Sequence, residues 1–473
     1  MRGTLPRNAA WLIAITVGLS LLLVSCAAGG SAPGIATSTA DANPMATASP
    51  TSFATTVSPT AATEATAIPT TGATSTAAPV AATATATAAS PKNPAPTSRQ
   101  ITAPTPARRQ GENLLAYYVP YDPTSWASFQ ANADTIDYVA PQWVSVDACG
   151  NVGSGDDRTL IAFARSKGVR ILPSLLTGNG DLNHRLLTDP ATSARLAQQI
   201  VAYVVEEGYD GLDLDLEGVL ATDRQAYTAF VKRLSTALHE QGKLLSVAIP
   251  AKASDVTTGW AGPYEYAAIA PYVDLAMIMT YEYSSPTGRP GSTAPYNWMD
   301  RVMGYVASQI PPEKVLMGVA FYGYDWNTTN PGERARALRH PQAAAIAAKF
   351  GATINLDPVT RSATFSYTLK RGDVMPADPK LPPLNHDISV RTRPACSVSS
   401  PTPAPRPTTS PRPTATPSPQ QEHVVWLEDA RSVAARIEIA SRYGVKGIGT
   451  WRLGQEDPAV WQRVAEWRQA GAR

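Results

Sequence analysis

The sequence predicts an α/β fold, a TIM-type (β/α)8 barrel carrying a small α+β insertion between its seventh and eighth strands. Three observations predict it. Short β-rich runs recur, each followed by an amphipathic helical pattern. About eight such units fit into about 280 residues once one excursion is set aside, which suits a closed barrel. No Gly-rich phosphate loop follows the first run, which argues against an open nucleotide-binding sheet.

The runs follow in order. "NLLAYYV" at 113–119 opens the series, then "IDYVAPQWVSV" at 136–146, "VRILPSLL" at 169–176 and "GLDLDLE" at 211–217. "LLSVAIP" at 244–250, "LAMIMTY" at 275–281, "VLMGVAFYG" at 315–323 and "KGIGTW" at 446–451 complete it. Between them, Tyr227, Phe230, Val231, Leu234 and Leu238 recur at helical spacing, and Gly242 stops that helix. "TSARLAQQIVAYVVEEG" and "PAVWQRVAEWRQA" have the same period. The excursion, residues 327–429, holds "ATFSYTL" at 363–369 and "HVVWLED" at 423–429 as strands of a small antiparallel insertion. A Pro/Thr-rich tract at about 393–421 reads as a long disordered loop joining them, tolerable because loop-closure cost grows slowly with length.

The chain ends differ in kind. Arg2 and Arg7 precede the apolar run "AWLIAITVGLSLLLV", and "LVSC" follows. The run is short for a membrane span and has the layout of an export signal at 1–25. "LVSC" resembles a bacterial lipobox, which makes Cys26 the lipid-modified first residue of the mature chain; the alternative is an ordinary signal peptide with an incidental Cys. Residues 26–111 are Ala, Thr, Ser and Pro with few large apolar groups, so they cannot offset chain entropy and read as a disordered tether. The barrel occupies 112–473. The expected location is the cell surface, with the membrane touched through the lipid anchor alone. Formal charge is +2 with no basic run among the periodic segments, which argues against nucleic acid. Cys149 and Cys396 could pair outside the cytoplasm, but Cys396 borders the Pro/Thr tract, so a bridge is not expected. No Cys/His set has zinc-like spacing.

The stretch "GYDGLDLDLEGV" at 208–219 carries the chemistry. On a strand, side chains alternate faces, so Asp213, Asp215 and Glu217 point one way and Leu212, Leu214 and Leu216 the other. Inside a barrel the acids climb toward the C-terminal rim, where barrel enzymes keep their catalytic groups. Carboxylates roughly 6.6 Å apart in a low-dielectric interior cannot all ionise cheaply, so one should hold a proton, as a general acid must. A calcium loop starting at Asp213 fails, because its twelfth position is Arg224 and its interleaved residues are Leu. The bland alternative is a polar cluster that steadies the strand; aligned inward acids without a use are an expensive way to do so.

"DGLDLDLE", from Asp210 and Gly211 to Glu217, resembles the signature of glycoside hydrolase family 18, the chitinase family. "MIMTYEYSSPTGRPGSTAPYNW", "QIPPEKVLMGVAFYGYDW", "HVVWLEDARSV" and "GIGTWRLGQEDP" are similar to its bacterial cortex-lytic, germination-type branch, which includes peptidoglycan hydrolases. The resemblance implies that Glu217 protonates the glycosidic oxygen. The acetamido oxygen of the substrate's own sugar then attacks C1, in a retaining, substrate-assisted reaction. It implies that Asp215 orients the acetamido N–H, that Asp213 shares a proton with Asp215, and that Tyr281 donates to the acetamido oxygen. Trp451 matches the tryptophan that floors the central sugar subsite. Asp210 is expected to hold the start of the strand rather than to do chemistry.

Tyr117, Trp143, Met279 and Tyr322 lie on other strands and could line the same cleft, or equally be barrel core. Leu216 and Glu282 stand where most chitinases have Trp and Asp, and Asp213 where the germination branch often has Asn. The reading is an exported glycosidase that implies no metal or organic cofactor; its expected partner is an N-acetylglucosamine-containing polysaccharide, peptidoglycan before chitin, and its expected state a monomer. The rival is a carbohydrate-binding protein of the same fold without turnover.

Overall fold

The computed structural model describes residues 113–378, 381–398 and 419–471. The signal, Cys26 and the tether at 26–111 lie outside these residues. No helix among them is long and apolar enough to cross a membrane.

The expected runs become a curled, mostly parallel sheet with helices packed on it. Asn113–Tyr118 pairs in parallel with Tyr138–Pro141 on one side and with Gly447–Trp451 on the other, so the first and last runs adjoin. Between them, Ser174–Thr177, Gly211–Leu216, Leu244–Pro250, Leu275–Met279, Val315–Ala320 and Gly447–Trp451 pair in sequence order. The second and third runs are each broken in two. Tyr138–Pro141 and Val144–Val146 flank a break at Gln142, and Arg170–Ile171 and Ser174–Thr177 flank one at Pro173. Proline has no N–H for the ladder. The ladder is bridged across that break, because Leu172 N donates to Val139 O (3.0 Å) and Asp213 N to Pro173 O (3.0 Å).

Period-two alternation sorts side chains between two apolar clusters. Leu114, Ala116, Leu212, Leu214 and Leu216 pack outward under the helices, with Tyr227, Phe230, Leu234 and Leu238 of the helix Arg224–His239. Leu115, Tyr117, Tyr138, Leu172, Met277 and Leu316 face inward. Gly211 is required where the strands meet: a Cβ there would lie 2.1 Å from Leu244 O.

The excursion after the seventh run holds the expected antiparallel pair, Ala363–Lys370 with Gln420–Leu427. That pair belongs to a five-stranded sheet, ordered from Arg336–Arg339 through Tyr322–Asn327, Gln420–Leu427 and Ala363–Lys370 to Asn355–Leu356. The helix His340–Phe350 covers it through Ala343, Ile346 and Ala347, against Phe365, Tyr367 and Val425.

One expectation needs correction here. Cys149 and Cys396 form a disulfide with Cα atoms 5.8 Å apart. The cause is a strand that the sequence reading missed: Ile388–Arg391 pairs antiparallel with Val152–Asp157, which itself turns back antiparallel on Val144–Val146. The segment is fastened further by His386 Nδ1 to Asp157 Oδ2 (2.5 Å) and by the His386 ring edge-on to Trp126 at 4.6 Å. Cys396, within the stretch placed at about 393–421, is thereby tied to Cys149.

Candidate active site

The strand Gly211–Leu216 is buried along its whole length, and Glu217 emerges half-buried at its C-terminal end. Its neighbours place Ser174 and Ser246 level with Asp213, one on each side. Ser246 Oγ donates to Asp213 Oδ1 (2.7 Å). The hydroxyls of Ser174 and Tyr117 also face Asp213, short of good hydrogen-bond geometry. Burial pushes the Asp213 carboxyl up, and these hydroxyls hold the rise down. Asp215 Oδ1 is buried without a hydrogen-bond partner. Burial, then the nearby charges of Glu217 and Asp213, hold its carboxyl well above the usual range. Glu217 is pushed up from 4.5 to about 7 by burial and by Glu282. The expectation of proton-holding acids on one strand face is thus carried by the desolvated geometry.

The backbone around Glu217 is fixed from three sides. Glu217 N donates to Thr177 O (2.7 Å), Asn183 Nδ2 to Glu217 O (2.6 Å), and Tyr264 Oη to Leu216 O (2.6 Å). Gly218 then turns the chain with φ +67°. Asp210 Oδ2 accepts from Ile171 N (2.8 Å), tying the start of the acid strand to the third run.

Tyr281 and Glu282 follow the strand Leu275–Met279. Gly318 on the adjacent strand makes room for Tyr281: a Cβ there would lie 3.0 Å from its Cε1. Burial and the charges of Asp215, Glu217, Glu282 and Asp213 push the Tyr281 hydroxyl up, so it stays a neutral donor beside the acids. Glu282 has φ +62°, a left-handed conformation that a non-glycine residue holds only under firm constraint. The constraint is visible: the Tyr322 and Tyr324 hydroxyls both donate to Glu282 Oε1. Burial raises the Glu282 carboxyl, opposed by those two hydroxyls and by Arg334.

The aromatic candidates separate. Trp451, half-buried, packs its ring 5.3 Å from Tyr117, and both join Met279 and Tyr281 in the inward cluster. Tyr322 packs edge-on to Tyr281 at 6.3 Å. Trp143 does not join them. Its Nε1 donates to Tyr203 Oη (2.9 Å) in the outward core, where Tyr203 and Tyr209 both donate to buried Asp156. Counted from inward-facing Tyr138, alternation gives Trp143 the outward face of Val139, and it lies there. Sequence reading also missed Ser246, Tyr264, Asn183 and Tyr324. Of these only Tyr324 had a signal, its position two residues after Tyr322 on the same strand face.

The family "Glycosyl hydrolases family 18" matches residues 113–456. Among curated proteins, the chain is 23% identical over 368 residues to "Uncharacterized glycosylase YvbX" of Bacillus subtilis, covering 76% of this chain and 93% of that one. It is 27% identical over 289 residues to the "Cortical fragment-lytic enzyme" of the same organism, covering 60% of this chain and 56% of the relative, so only about half of that relative's length is spanned. Among solved structures, the Bacillus megaterium spore cortex-lytic enzyme SleL shares the fold with TM-score 0.61 at 23% identity, covering 76% of this chain and 75% of that one. A chitinase from Chromobacterium violaceum matches with TM-score 0.61 at 25% identity, over 76% of this chain and 99% of that one. With the acid strand, Tyr281 and Trp451 brought together, this match over most of the described residues leads to one conclusion: the chain, similar to cortex-lytic and sporulation glycosylases, belongs to glycosyl hydrolases family 18 and is a glycosidase.

Proposed function

We propose that this glycosidase is exported, held at the cell surface through Cys26, and cleaves β-1,4 bonds beside N-acetylglucosamine, in peptidoglycan before chitin. The carrying observation is the run of desolvated acids, Asp213, Asp215 and Glu217, with no cation in their balance and with the Tyr281 hydroxyl beside them. The adjoining first and last runs are read as the closure of an eight-stranded barrel, with the acids inside its C-terminal rim. The disulfide supports the extracytoplasmic part of the reading, since such bonds persist where the surroundings are oxidising.

In this reading Glu217, with its carboxyl raised to about 7, is protonated at the start of the cycle and gives its proton to the leaving oxygen. The C2 acetamido oxygen of the substrate attacks C1 as that bond breaks, giving a cyclic oxazolinium ion. Asp215, charged in this step, faces the acetamido N–H, while the proton it shares with Asp213 keeps two adjacent acids from ionising together. Tyr281 donates to the acetamido oxygen. Glu217, now a carboxylate, takes a proton from the water that opens the ring, which restores the starting state with retention at C1. Trp451 offers an apolar face to the sugar being attacked.

The test compares the full-length chain with its Glu217→Gln form on peptide-free peptidoglycan strands and on chitin oligosaccharides, reading the products by mass spectrometry. Cleavage by the wild type alone, with retained anomeric configuration, is expected. Binding without cleavage by both forms would replace the reading with that of a carbohydrate-binding protein. Turnover of a glucoside lacking the 2-acetamido group would overturn the mechanism.

A further inference from the structure

The strand Ile388–Arg391 and the residues leading to it form a strap that has no part in the chemistry above, yet it is fastened twice. His386 binds Asp157, and the Cys149–Cys396 disulfide ties its far end. Asp378 and Leu381, before the strap's strand, line a pocket of about 790 Å³. Arg339 of the insertion lines it from a second direction, and Arg452 and Gln455, in the turn after Trp451, from a third.

Two of these residues adjoin the candidate active site. Arg452 directly follows Trp451. Arg339 pairs across the insertion sheet with Tyr322, so the two side chains share a face, and Tyr322 is one of the hydroxyls that hold Glu282. The strand Gly447–Trp451 neighbours Asn113–Tyr118 and Val315–Ala320, whereas the acid strand neighbours Ser174–Thr177 and Leu244–Pro250. The pocket thus belongs to the arc that ends in Trp451 and not to that of Glu217. In the proposed mechanism the attacked sugar lies over Trp451 and the leaving half takes its proton from Glu217. The pocket then stands beside the sugar that precedes the attacked one.

Its polar groups are of both signs. Arg452 Nη1 donates to Asp122 Oδ2 (2.7 Å) and Ser125 Oγ (3.0 Å), and Arg339 Nη2 lies 3.0 Å from Asp378 Oδ2. Each guanidinium carries further N–H groups in a fixed fork that suits a carboxylate. Asp378 Oδ1 and Gln455 Oε1 are buried with no hydrogen-bond partner. Orphaned acceptors carry a desolvation cost that a donating ligand would offset. Among the described residues that line the pocket there is no aromatic ring, so it lacks the flat apolar face on which a sugar packs. Donors for carboxylates beside acceptors for N–H groups describe a site for a short peptide bearing both charges.

We infer that the pocket receives the stem peptide that N-acetylmuramic acid carries on its lactyl group, with peptide carboxylates on Arg339 and Arg452 and peptide N–H groups on Asp378 Oδ1 and Gln455 Oε1. The inference rests on the peptidoglycan reading proposed above. Where N-acetylglucosamine and N-acetylmuramic acid alternate, an N-acetylglucosamine over Trp451 puts a peptide-bearing ring next to the pocket.

The experiment reads a ratio. Full-length wild type, Arg339→Ala, Arg339→Lys and Gln455→Leu are compared on uncrosslinked peptidoglycan strands that keep their stem peptides, on the same strands freed of them by an amidase, and on chitin oligosaccharides. Wild type is expected to favour the peptide-bearing strand by about tenfold in kcat/KM, about 1.4 kcal/mol. Arg339→Ala and Gln455→Leu should each lower that preference by about threefold or more, and Arg339→Lys should restore part of it. Each ratio is taken within one protein, so a loss of folded enzyme cancels. A wild type without the preference, or variants that all keep it, would overturn the pocket and leave the glycosidase reading intact. A wild type active on chitin oligosaccharides alone would bring down the peptidoglycan reading and the pocket with it, and one inert on all three would bring down the glycosidase mechanism as well.

Discussion

Glu428 and the acids of the strand Gly211–Leu216 are buried alike, but their surroundings are opposite. Glu428 lies 3.0 Å from the guanidinium of Arg436, which is itself fully buried, and accepts from Ser362 Oγ (2.8 Å). Arg436 also donates to Ser362 Oγ (2.6 Å) and Thr360 O (3.2 Å). Asp213, Asp215 and Glu217 have neutral hydroxyls, one another and Glu282 for company. Burial raises the carboxyl in both places, and at Glu428 the nearby cation works against the rise. A paired charge welds the insertion's last strand to the helix Ala430–Arg442. An unpaired set costs stability and gains reactivity. A carboxylate serves the fold at Glu428 and, in the proposed mechanism, the chemistry on the acid strand.

The largest effect that would break this comparison is on turnover. Glu217→Gln should lower kcat on a cleaved glycan by about 10²–10⁴-fold, the range for losing a general acid. Its melting temperature should be unchanged or higher, because an unpaired buried acid is removed. A variant that kept its activity, or lost it by unfolding, would put Glu217 in the structural class with Glu428. Next comes stability: Arg436→Met strands Glu428 and should cost about 3–5 kcal/mol in denaturant unfolding, with activity per folded molecule retained. A cost near zero would mean that Glu428 takes up a proton as easily as the acid strand does.

Smaller, and on a different part of the molecule, is the strap. Replacing Cys149 and Cys396 together by Ala removes a bond that closes a separation of 247 residues and should cost about 2–4 kcal/mol. Turnover at the distant acids should not change below the melting transition, and a loss of kcat there would show that the strap shapes the cleft.

The subtlest prediction concerns pH. The folded chain holds the Glu217 proton up to about 7, against 4.5 for the free group. Its stabilising contribution is therefore complete below about 4.5 and is lost as pH rises through about 7. The rate should fall over the same upper limb, because the deprotonated form cannot protonate a leaving group. Glu217→Gln should flatten that part of the stability profile. A wild-type rate that kept rising well above pH 7 would place the working acid elsewhere.

Much of this was legible from residue order. Strict alternation from Leu212 to Glu217 assigned each side chain to a face, and Leu212, Leu214 and Leu216 all lie in the outward cluster. Asp210 behaves as a brace because it sits where the strand begins. Trp143, which the residues left open between cleft and core, lies in the outward core, on the face that alternation from Tyr138 gives it. The strap escaped notice for a physical reason. Ile388 and Val390 are 45% and 69% exposed, so the strand has no buried face and leaves no apolar pattern. It is recognised through its partners, Val152–Asp157 and Cys149, more than two hundred residues away.

The sequence by itself determined what is local: where the acid strand lies, which face each acid takes, and that carboxylates so spaced resist ionising together. These follow from backbone geometry within a few residues, and no distant contact can alter them cheaply. Tertiary structure alone decided which remote groups converge. It set Tyr322 and Tyr324 on Glu282, joined Cys149 to Cys396, and brought Arg339 and Arg452 to one pocket. Such pairings depend on the closing of long loops around a shared sheet, and separation along the chain carries almost no record of them.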